Sequence, residues 1–295
     1  MVNDDNYAGG PPVHILSRLT GPFLAALGLV IFAGPLGAQT ARPIVPGFWR
    51  TDKYLSKPVI PKATPVRFVT SADFPPFNYR DDSGNLTGFN IEIARAICSE
   101  LQLTCEFRAL RWDQLIGAVV RGRADAIVAS LATTAGNRRK LSFSYRYYRT
   151  PARFVTRLEN KLNGISPTIL SGRKIATVKG TSHEAYLKTF FGQARIVSFE
   201  TSAAAREATR TGKVDALFGD GISLMYWLSG TSSRNCCRFV GGPYTESAFF
   251  GEGVGIAVRK GNRRLIEILN YGLVAIRNRG TFEDIYLRYF PRKLY

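Results

Sequence analysis

Short apolar runs alternate with amphipathic segments along most of the chain. Apolar residues recur at helical spacing at Ile91, Ala94 and Ile97, directly after a run rich in β-branched and aromatic residues. The predicted elements of this first series are strand 66–70, helix 88–101, strand 105–110, helix 112–122 and strand 124–130. Alternating strands and helices predict an α/β fold with mostly parallel sheets.

A second series with the same order of elements follows. Its predicted elements are strand 174–180, a helix from Thr181, strand 195–200, helix 202–212 and strand 214–220. Segment 122–127 (GRADAI) is echoed ninety residues later by segment 212–217 (GKVDAL). The echo predicts two lobes of related build. Ligands bind beyond the carboxyl ends of the strands in such sheets, which makes residues 71–74, 130–134, 181–183 and Asp220 candidates.

The start of the chain predicts export. An apolar run at 21–38 follows Arg18 and ends in small residues, the layout of a secretory signal. We expect a signal peptide at 1–38, cleaved after Ala38, and a periplasmic protein. An uncleaved N-terminal anchor is the alternative. Residues 39–64 are Pro-rich and predict a leader or tether.

In an oxidising compartment the four cysteines can form disulfides. Cys98 and Cys105 flank a predicted helix end and the strand that follows, which can bring their Cα atoms within about 7 Å and allow a disulfide. Cys236 and Cys237 are adjacent. For that pair we expect two thiols or a labile bridge.

Composition and charge exclude several classes of protein and function for this chain. The 295 residues are 45% hydrophobic, which excludes a disordered or collagen-like chain. Lys and Arg outnumber Asp and Glu by 40 to 22, a net charge of +18, but the excess is dispersed, so we predict no nucleic-acid partner. His183 is the only histidine after the signal, and no phosphate-binding or zinc motif is present. We therefore predict no catalytic residues, no metal and no cofactor.

In contrast to catalytic motifs, residues that can bind a small ligand are present in the sequence. Thr181 with Glu184 predicts a capping box, and the first-turn amides of such a helix attract a carboxylate; ordinary capping is the alternative. The guanidinium of Arg138 can take a carboxylate in a bidentate fork, although segment 137–140 (NRRK) is also typical of a solvated face.

Asp220 ends a predicted strand, where its carboxylate can accept an ammonium group or cap the next helix. Phe74, Phe77 and Trp112 can stack on a ligand, or belong to the core. A cation, a helix N-terminus and a carboxylate that converge between two lobes suit a zwitterionic amino acid.

An ordered set of motifs carries a family resemblance over about residues 65–292. The motifs are 73–77 (DFPPF), 88–94 (GFNIEIA), 112–116 (WDQLI), 122–127 (GRADAI), 143–144 (FS), 147–148 (YY), 179–182 (KGTS), 255–260 (GIAVRK) and 280–282 (GTF). Together they resemble the family 3 extracellular solute-binding proteins, the polar amino-acid receptors of bacterial ABC importers. The spacing of Cys98 and Cys105 also resembles a disulfide of some basic-amino-acid receptors in this group.

The resemblance implies a two-lobed periplasmic-binding-protein type II fold, with two mixed sheets flanked by helices and joined by two crossover strands. Lobe 1 would comprise 65–150 and 250–295, and lobe 2 would comprise 151–249. It also implies a monomer that delivers its ligand to a membrane permease. The implied ligand-binding residues are Asp73, Phe74, Trp112, Ser130, Thr134, Arg138, Thr181, Ser182 and Asp220.

Several positions depart from the family pattern. The arginine expected three residues after Thr134 is Asn137, and Arg138 stands one residue late. We assign the carboxylate to Arg138 because an anion needs a cation. Ser71 stands where receptors for cationic ligands often carry Asp, and Asn90 replaces a frequent Asp. These changes argue against lysine, arginine or histidine as the ligand.

The leading hypothesis is a periplasmic protein that captures an amino acid and passes it to an importer. One alternative is a periplasmic sensor or protein-partner module on the same fold. The other is an enzyme resembling cyclohexadienyl dehydratase, with a general acid supplied by Asp73, His183, Glu246 or Glu252.

Overall fold

A computed structural model describes residues 55–60 and 65–290. The predicted signal peptide and residues 39–54 and 61–64 of the predicted leader lie outside this part. Residues 55–60 form no helix or strand, and Ile60 packs against the core of lobe 1. Within the described ranges, the structure holds no helix with the length and apolar character to span a bilayer.

Lobe 1 is built on one five-stranded sheet. Its elements before the crossover are β1 (Val66–Thr70), β2 (Asp73–Phe74), β3 (Asn78–Arg80), β4 (Leu86–Thr87), α1 (Phe89–Glu100), β5 (Cys105–Ala109), a 3₁₀ turn (Trp112–Gln114), α2 (Leu115–Val120), β6 (Ala126–Ile127), α3 (Ala135–Lys140) and β7 (Leu141–Phe143). After the return they are β13 (Ala257–Arg259), α8 (Arg263–Asn278) and α9 (Thr281–Tyr289). The strand order is β5-β1-β6-β13-β7, with β13 antiparallel to its neighbours, and β2-β3-β4 form a small separate sheet.

Lobe 2 repeats this plan. Its elements are β8 (Ala152–Arg157), β9 (Lys174–Val178), α4 (Ser182–Phe190), β10 (Arg195–Phe199), α5 (Ser202–Arg210), β11 (Ala216–Asp220), α6 (Gly221–Ser229), a 3₁₀ turn (Thr231–Ser233), β12 (Cys237–Tyr244) and α7 (Ser247–Phe250). The order is β10-β9-β11-β8-β12, in which β9 is parallel to β10 and β11 while β8 is antiparallel to β11. The predicted mixed α/β sheets are confirmed.

Each sheet is buried on both faces because its strands alternate side chains between two cores. In β1, Phe68 packs with α1, α8 and α9, whereas the next residue, Val69, packs with α2. In β8, Phe154 and Val155 divide between two cores in the same way. Helices on both faces leave the carboxyl ends of the parallel strands as the open edge for a site.

Two segments connect the lobes, and they pair with each other. The Tyr147 amide donates to the carbonyl of Val254, and the Val254 amide donates to the carbonyl of Tyr148, both at 2.9 Å. The pairing confirms the two predicted crossover strands. All strands of the second sheet lie within 151–249, and we keep the lobe boundaries themselves as a proposal.

The cysteines form two disulfides. Cys98 and Cys105 are joined with their Cα atoms 6.3 Å apart, which confirms the predicted pair. Cys236 and Cys237 are also joined. Of the two alternatives expected for that pair, two thiols or a labile bridge, the structure shows a bridge.

We expect Gly272→Ala to lower the free energy of unfolding by about 1–3 kcal/mol. Gly272 lies where α8 crosses α1, and an added Cβ would stand 2.5 Å from the Cγ2 atom of Ile97, a stiff β-branched side chain. Gly136→Ala in α3 is the matched control, because its Cβ would meet nothing closer than 3.7 Å. Urea unfolding checks the pair, and equal stabilities would contradict this account of the packing.

Candidate ligand-binding site

A cavity of about 540 Å³ lies between the lobes, at the carboxyl ends of the parallel strands. It also borders the crossover segments at Thr150 and Val254. Eight of the nine predicted ligand-binding residues line it, namely Asp73, Phe74, Trp112, Ser130, Thr134, Thr181, Ser182 and Asp220. The geometry therefore brings these residues to one place, and their binding role stays a prediction.

A buried hydrogen-bond network holds the lobe 1 side of the cavity. The side-chain amide of Asn78 donates to the Ser71 hydroxyl at 2.8 Å. The amide of Asn90 donates to Asn78 Oδ1 at 2.9 Å and to Ser130 Oγ at 2.8 Å, while its oxygen accepts from Tyr147 at 2.6 Å. An ionised carboxylate has no donor, so these two bonds explain why Asn90 stands in place of Asp.

Asp220 combines two roles that the sequence left open. It ends β11, caps α6 by accepting from the Ser223 amide at 2.8 Å, and lines the cavity. Burial raises the pKa of its carboxyl to about 6, against the opposing effect of hydrogen bonds from the Ser223 and Ile222 amides and from Thr150. The carboxylate is thus fixed in place, and the effect of burial on its pKa outweighs that of the hydrogen bonds and of the nearby Arg206 charge.

The N-terminus of α4 faces the same cavity. Thr181 Oγ1 accepts from the Glu184 amide at 3.3 Å, and Glu184 Oε2 accepts from the Gly180 amide at 2.7 Å. This confirms the predicted capping box. The first-turn amides beyond the cap have no acceptor within the helix, and the helix dipole adds positive potential there. Thr181 and Ser182 therefore border a natural site for a carboxylate.

Of the three aromatic residues predicted to stack on a ligand, two line the cavity and one belongs to the core. Phe74 and Trp112 line the cavity, and Trp112 Nε1 reaches the carbonyl of Gly180 in lobe 2 at 3.5 Å. Phe77 is fully buried and stacks on Tyr148 with ring centroids 4.8 Å apart. Only the first two can contact a ligand.

The structure places Arg138 outside the cavity. Its guanidinium lies 3.5 Å from the carboxylate of Glu252, and the two side chains are 53% and 71% exposed. One residue of helix turns a side chain by about 100°, which carries Arg138 away from the lining where Asn137 stands. The side-chain amide of Asn137 donates to the carbonyl of Ala132 at 2.8 Å. The prediction that Arg138 reaches the ligand is at odds with this placement.

Sequence reasoning missed Arg206 of α5, which lines the cavity. Its Nη2 atom donates to the hydroxyl of Ser223 at 2.5 Å and to the Ser223 carbonyl at 3.3 Å. The available signal was an arginine on the face of α5 that otherwise carries small residues such as Ala205 and Thr209. No sequence motif identifies Arg206 as a cavity residue.

Of the four suggested general acids, Asp73 and His183 line the cavity, whereas Glu246 and Glu252 do not. Asp73 accepts a hydrogen bond from the Ser202 amide at 3.3 Å. Glu246 accepts from the Tyr186 hydroxyl at 3.0 Å. His183 lies between the rings of Phe218 and Phe250. Burial lowers the pKa of His183 to about 4, so its imidazole is neutral at physiological pH.

Residues 66–292 match the family described as bacterial extracellular solute-binding proteins, family 3. The chain belongs to this family. An L-arginine-binding protein of Pseudomonas aeruginosa is 32% identical over 243 residues, which cover 82% of this chain and 93% of that protein.

Solved structures of similar proteins share the two-lobed fold. An ancestral arginine-binding protein bound to glutamine is 30% identical, with a TM-score of 0.70 over 76% of this chain and 97% of that one. An ancestral amino-acid-binding protein, a precursor of cyclohexadienyl dehydratase, is 28% identical, with a TM-score of 0.68 over 76% of this chain and 95% of that one. Each of these relatives is named as a binding protein.

We expect Asp220→Asn to remove a pH-dependent cost from the folded state. Because the folded pKa of Asp220 lies near 6, above the ordinary value of about 4, its contribution to stability is full below pH 4 and is lost as pH rises through 6. Relative to the variant, the wild type should lose about 2 kcal/mol between pH 4 and 7.

Urea unfolding of ligand-free protein at both pH values measures this difference. All other carboxyl groups are present in both the wild type and the variant, so their contributions to the pH dependence of stability cancel in the difference. A stability difference that is the same at pH 4 and 7 would contradict the assigned cause.

Proposed function

We propose that this family 3 protein captures an amino acid between its lobes and delivers it to the permease of an ABC-type importer. The single observation that carries the proposal is the pairing of Asp220 with the α4 N-terminus across one cavity. One is a fixed anion and the other a fixed positive dipole end, so together they complement an ammonium and a carboxylate.

The Asp220 carboxylate and the N-terminus of α4 define the orientation of the ligand. The α-ammonium lies against Asp220, and the α-carboxylate lies against the amides at Thr181 and Ser182. The side chain extends between Phe74 and Trp112, where aromatic faces exclude water. Binding of amino acids by the family 3 relatives supports this arrangement.

The proposed role involves no chemical step. A dehydratase-like reaction needs a proton donor directed into the cavity. His183 is neutral, Glu246 and Glu252 lie outside the lining, and Asp73 accepts a hydrogen bond from the Ser202 amide. The relationship to a precursor of cyclohexadienyl dehydratase is compatible with this proposal, because that precursor is itself named an amino-acid-binding protein.

Export supports the same function. A signal peptide at 1–38 would place the mature chain in the periplasm, where the four cysteines can be oxidised and where a monomer can shuttle ligand to its permease. Sequencing the mature N-terminus tests this part, with Gln39 as the expected first residue.

Calorimetric titration with the twenty L-amino acids tests the proposal. We expect at least one to bind, and Asp220→Asn to weaken its binding at least tenfold because the ammonium loses its counter-charge. Asp82→Asn is the matched control, since Asp82 is exposed in the turn between β3 and β4. Well-folded protein that binds none of the panel would refute amino-acid capture.

We expect Arg138→Gln to change the affinity for that amino acid by less than twofold. The guanidinium is solvated and pairs with Glu252 at the surface, where an ion pair contributes little. The same titration checks this. A large loss of affinity would show that Arg138 turns inward when ligand is bound.

A further inference from the structure

Five charged residues line the cavity, namely Asp73, Asp113, Arg149, Arg206 and Asp220. Two of them belong to its solvent-exposed rim. Asp113 accepts from Arg111 at 3.1 Å and 3.2 Å, and Arg149 donates to the carbonyl of Thr245 at 3.2 Å. Solvent screens such rim charges, so the inner charges decide which ligand fits.

The three inner charges belong to one connected arrangement. Asp73 Oδ2 accepts from the amide of Ser202, the first residue of α5, at 3.3 Å. Arg206 lies one turn further along α5, on the same face as Ser202. Asp73 therefore contacts, from lobe 1, the helix that carries Arg206.

Ser223 links Arg206 to Asp220. Its hydroxyl accepts from Arg206 at 2.5 Å and donates to the carbonyl of Pro75 in lobe 1 at 2.7 Å. Its amide donates to Asp220 at 2.8 Å. The guanidinium is thus held by the residue that also anchors the Asp220 carboxylate.

Both carboxylates act on the guanidinium. Burial lowers the pKa of Arg206 to about 10, and the charges of Asp73 and Asp220 oppose this shift. Arg206 stays protonated at physiological pH. The formal charges of Asp73, Arg206 and Asp220 sum to −1, which one ligand ammonium neutralises.

We propose that Arg206 is an internal counter-cation that fits the cavity to amino acids with uncharged side chains and rejects arginine and lysine. The inference rests on the proposed function and specifies its ligand class. A basic amino acid brings a second positive group, which would need a carboxylate that Arg206 already neutralises. Such a group would lie near the guanidinium in a partly desolvated cavity, where like charges repel strongly.

The inference sets this chain apart from relatives named as arginine-binding proteins. Ser71 and Asn90 add no negative charge on the lobe 1 side, because both are neutral and take part in the buried network. Removal of Arg206 would leave Asp73 and Asp220 with a net charge of −2, which suits a ligand with two cationic groups.

Calorimetric titration of wild type and Arg206→Gln with L-arginine, and with the tightest uncharged amino acid of the panel, tests the proposal. Wild type should bind L-arginine at least tenfold more weakly than the uncharged amino acid. Arg206→Gln should bind L-arginine at least tenfold more tightly than wild type, which is about 1.4 kcal/mol. Arg210→Gln is the matched control, because Arg210 lies on the same helix, pairs with Glu207 and does not line the cavity.

A double variant distinguishes the effect of removing the Arg206 charge from the effect of removing its side-chain volume. Arg206→Gln with Asp73→Asn restores the inner charge of −1, so the gain for L-arginine should disappear, and Asn keeps an acceptor for the Ser202 amide. Thermal unfolding verifies that each variant is folded.

Tight binding of L-arginine by wild type, or no gain in Arg206→Gln, would overturn the inference and leave amino-acid capture intact. If no amino acid binds to wild type or to either variant, the proposed function itself fails, and the inference fails with it.

Discussion

The carboxylate of Asp220 is the point at which the fold and the cavity depend on each other. It closes β11 and holds the first turn of α6 through the Ser223 amide. Burial keeps its pKa near 6, so the folded protein maintains a costly anion where a ligand can neutralise it. Groups held at such a cost are frequent at functional sites.

The remaining geometry orients two similar lobes toward this anion. Parallel strands end at the cavity in both sheets, and the crossover segments pair through Tyr148 and Val254. Several contacts between the lobes are hydrogen bonds. The hydroxyl of Ser223 donates to the Pro75 carbonyl, and the amide of Ser202 donates to Asp73. Such bonds can break and form again when lobes separate to admit a ligand.

Much of this architecture could be predicted from the sequence. Short apolar runs and helical spacings located the elements, and the repeat of GRADAI as GKVDAL indicated the second lobe. The capping box at Thr181 could be predicted because both partners are local in sequence. Asp220 could be placed at the cavity because it follows a predicted strand.

The rest depends on contacts between residues far apart in the chain. A shift of one residue on α3 decided between Asn137 and Arg138, and sequence spacing does not set which side chain turns inward. Arg206 acquires its role only through Ser223 and the two carboxylates, which come from two other parts of the chain, β2 and the start of α6.

The most direct test of the central claim is a crystal structure of the protein with its amino acid bound. The account predicts the ligand ammonium within about 3.2 Å of the Asp220 carboxylate. The ligand carboxylate should lie at the amides of Thr181 and Ser182. A ligand bound the other way round, or one that does not contact Asp220, would contradict the account.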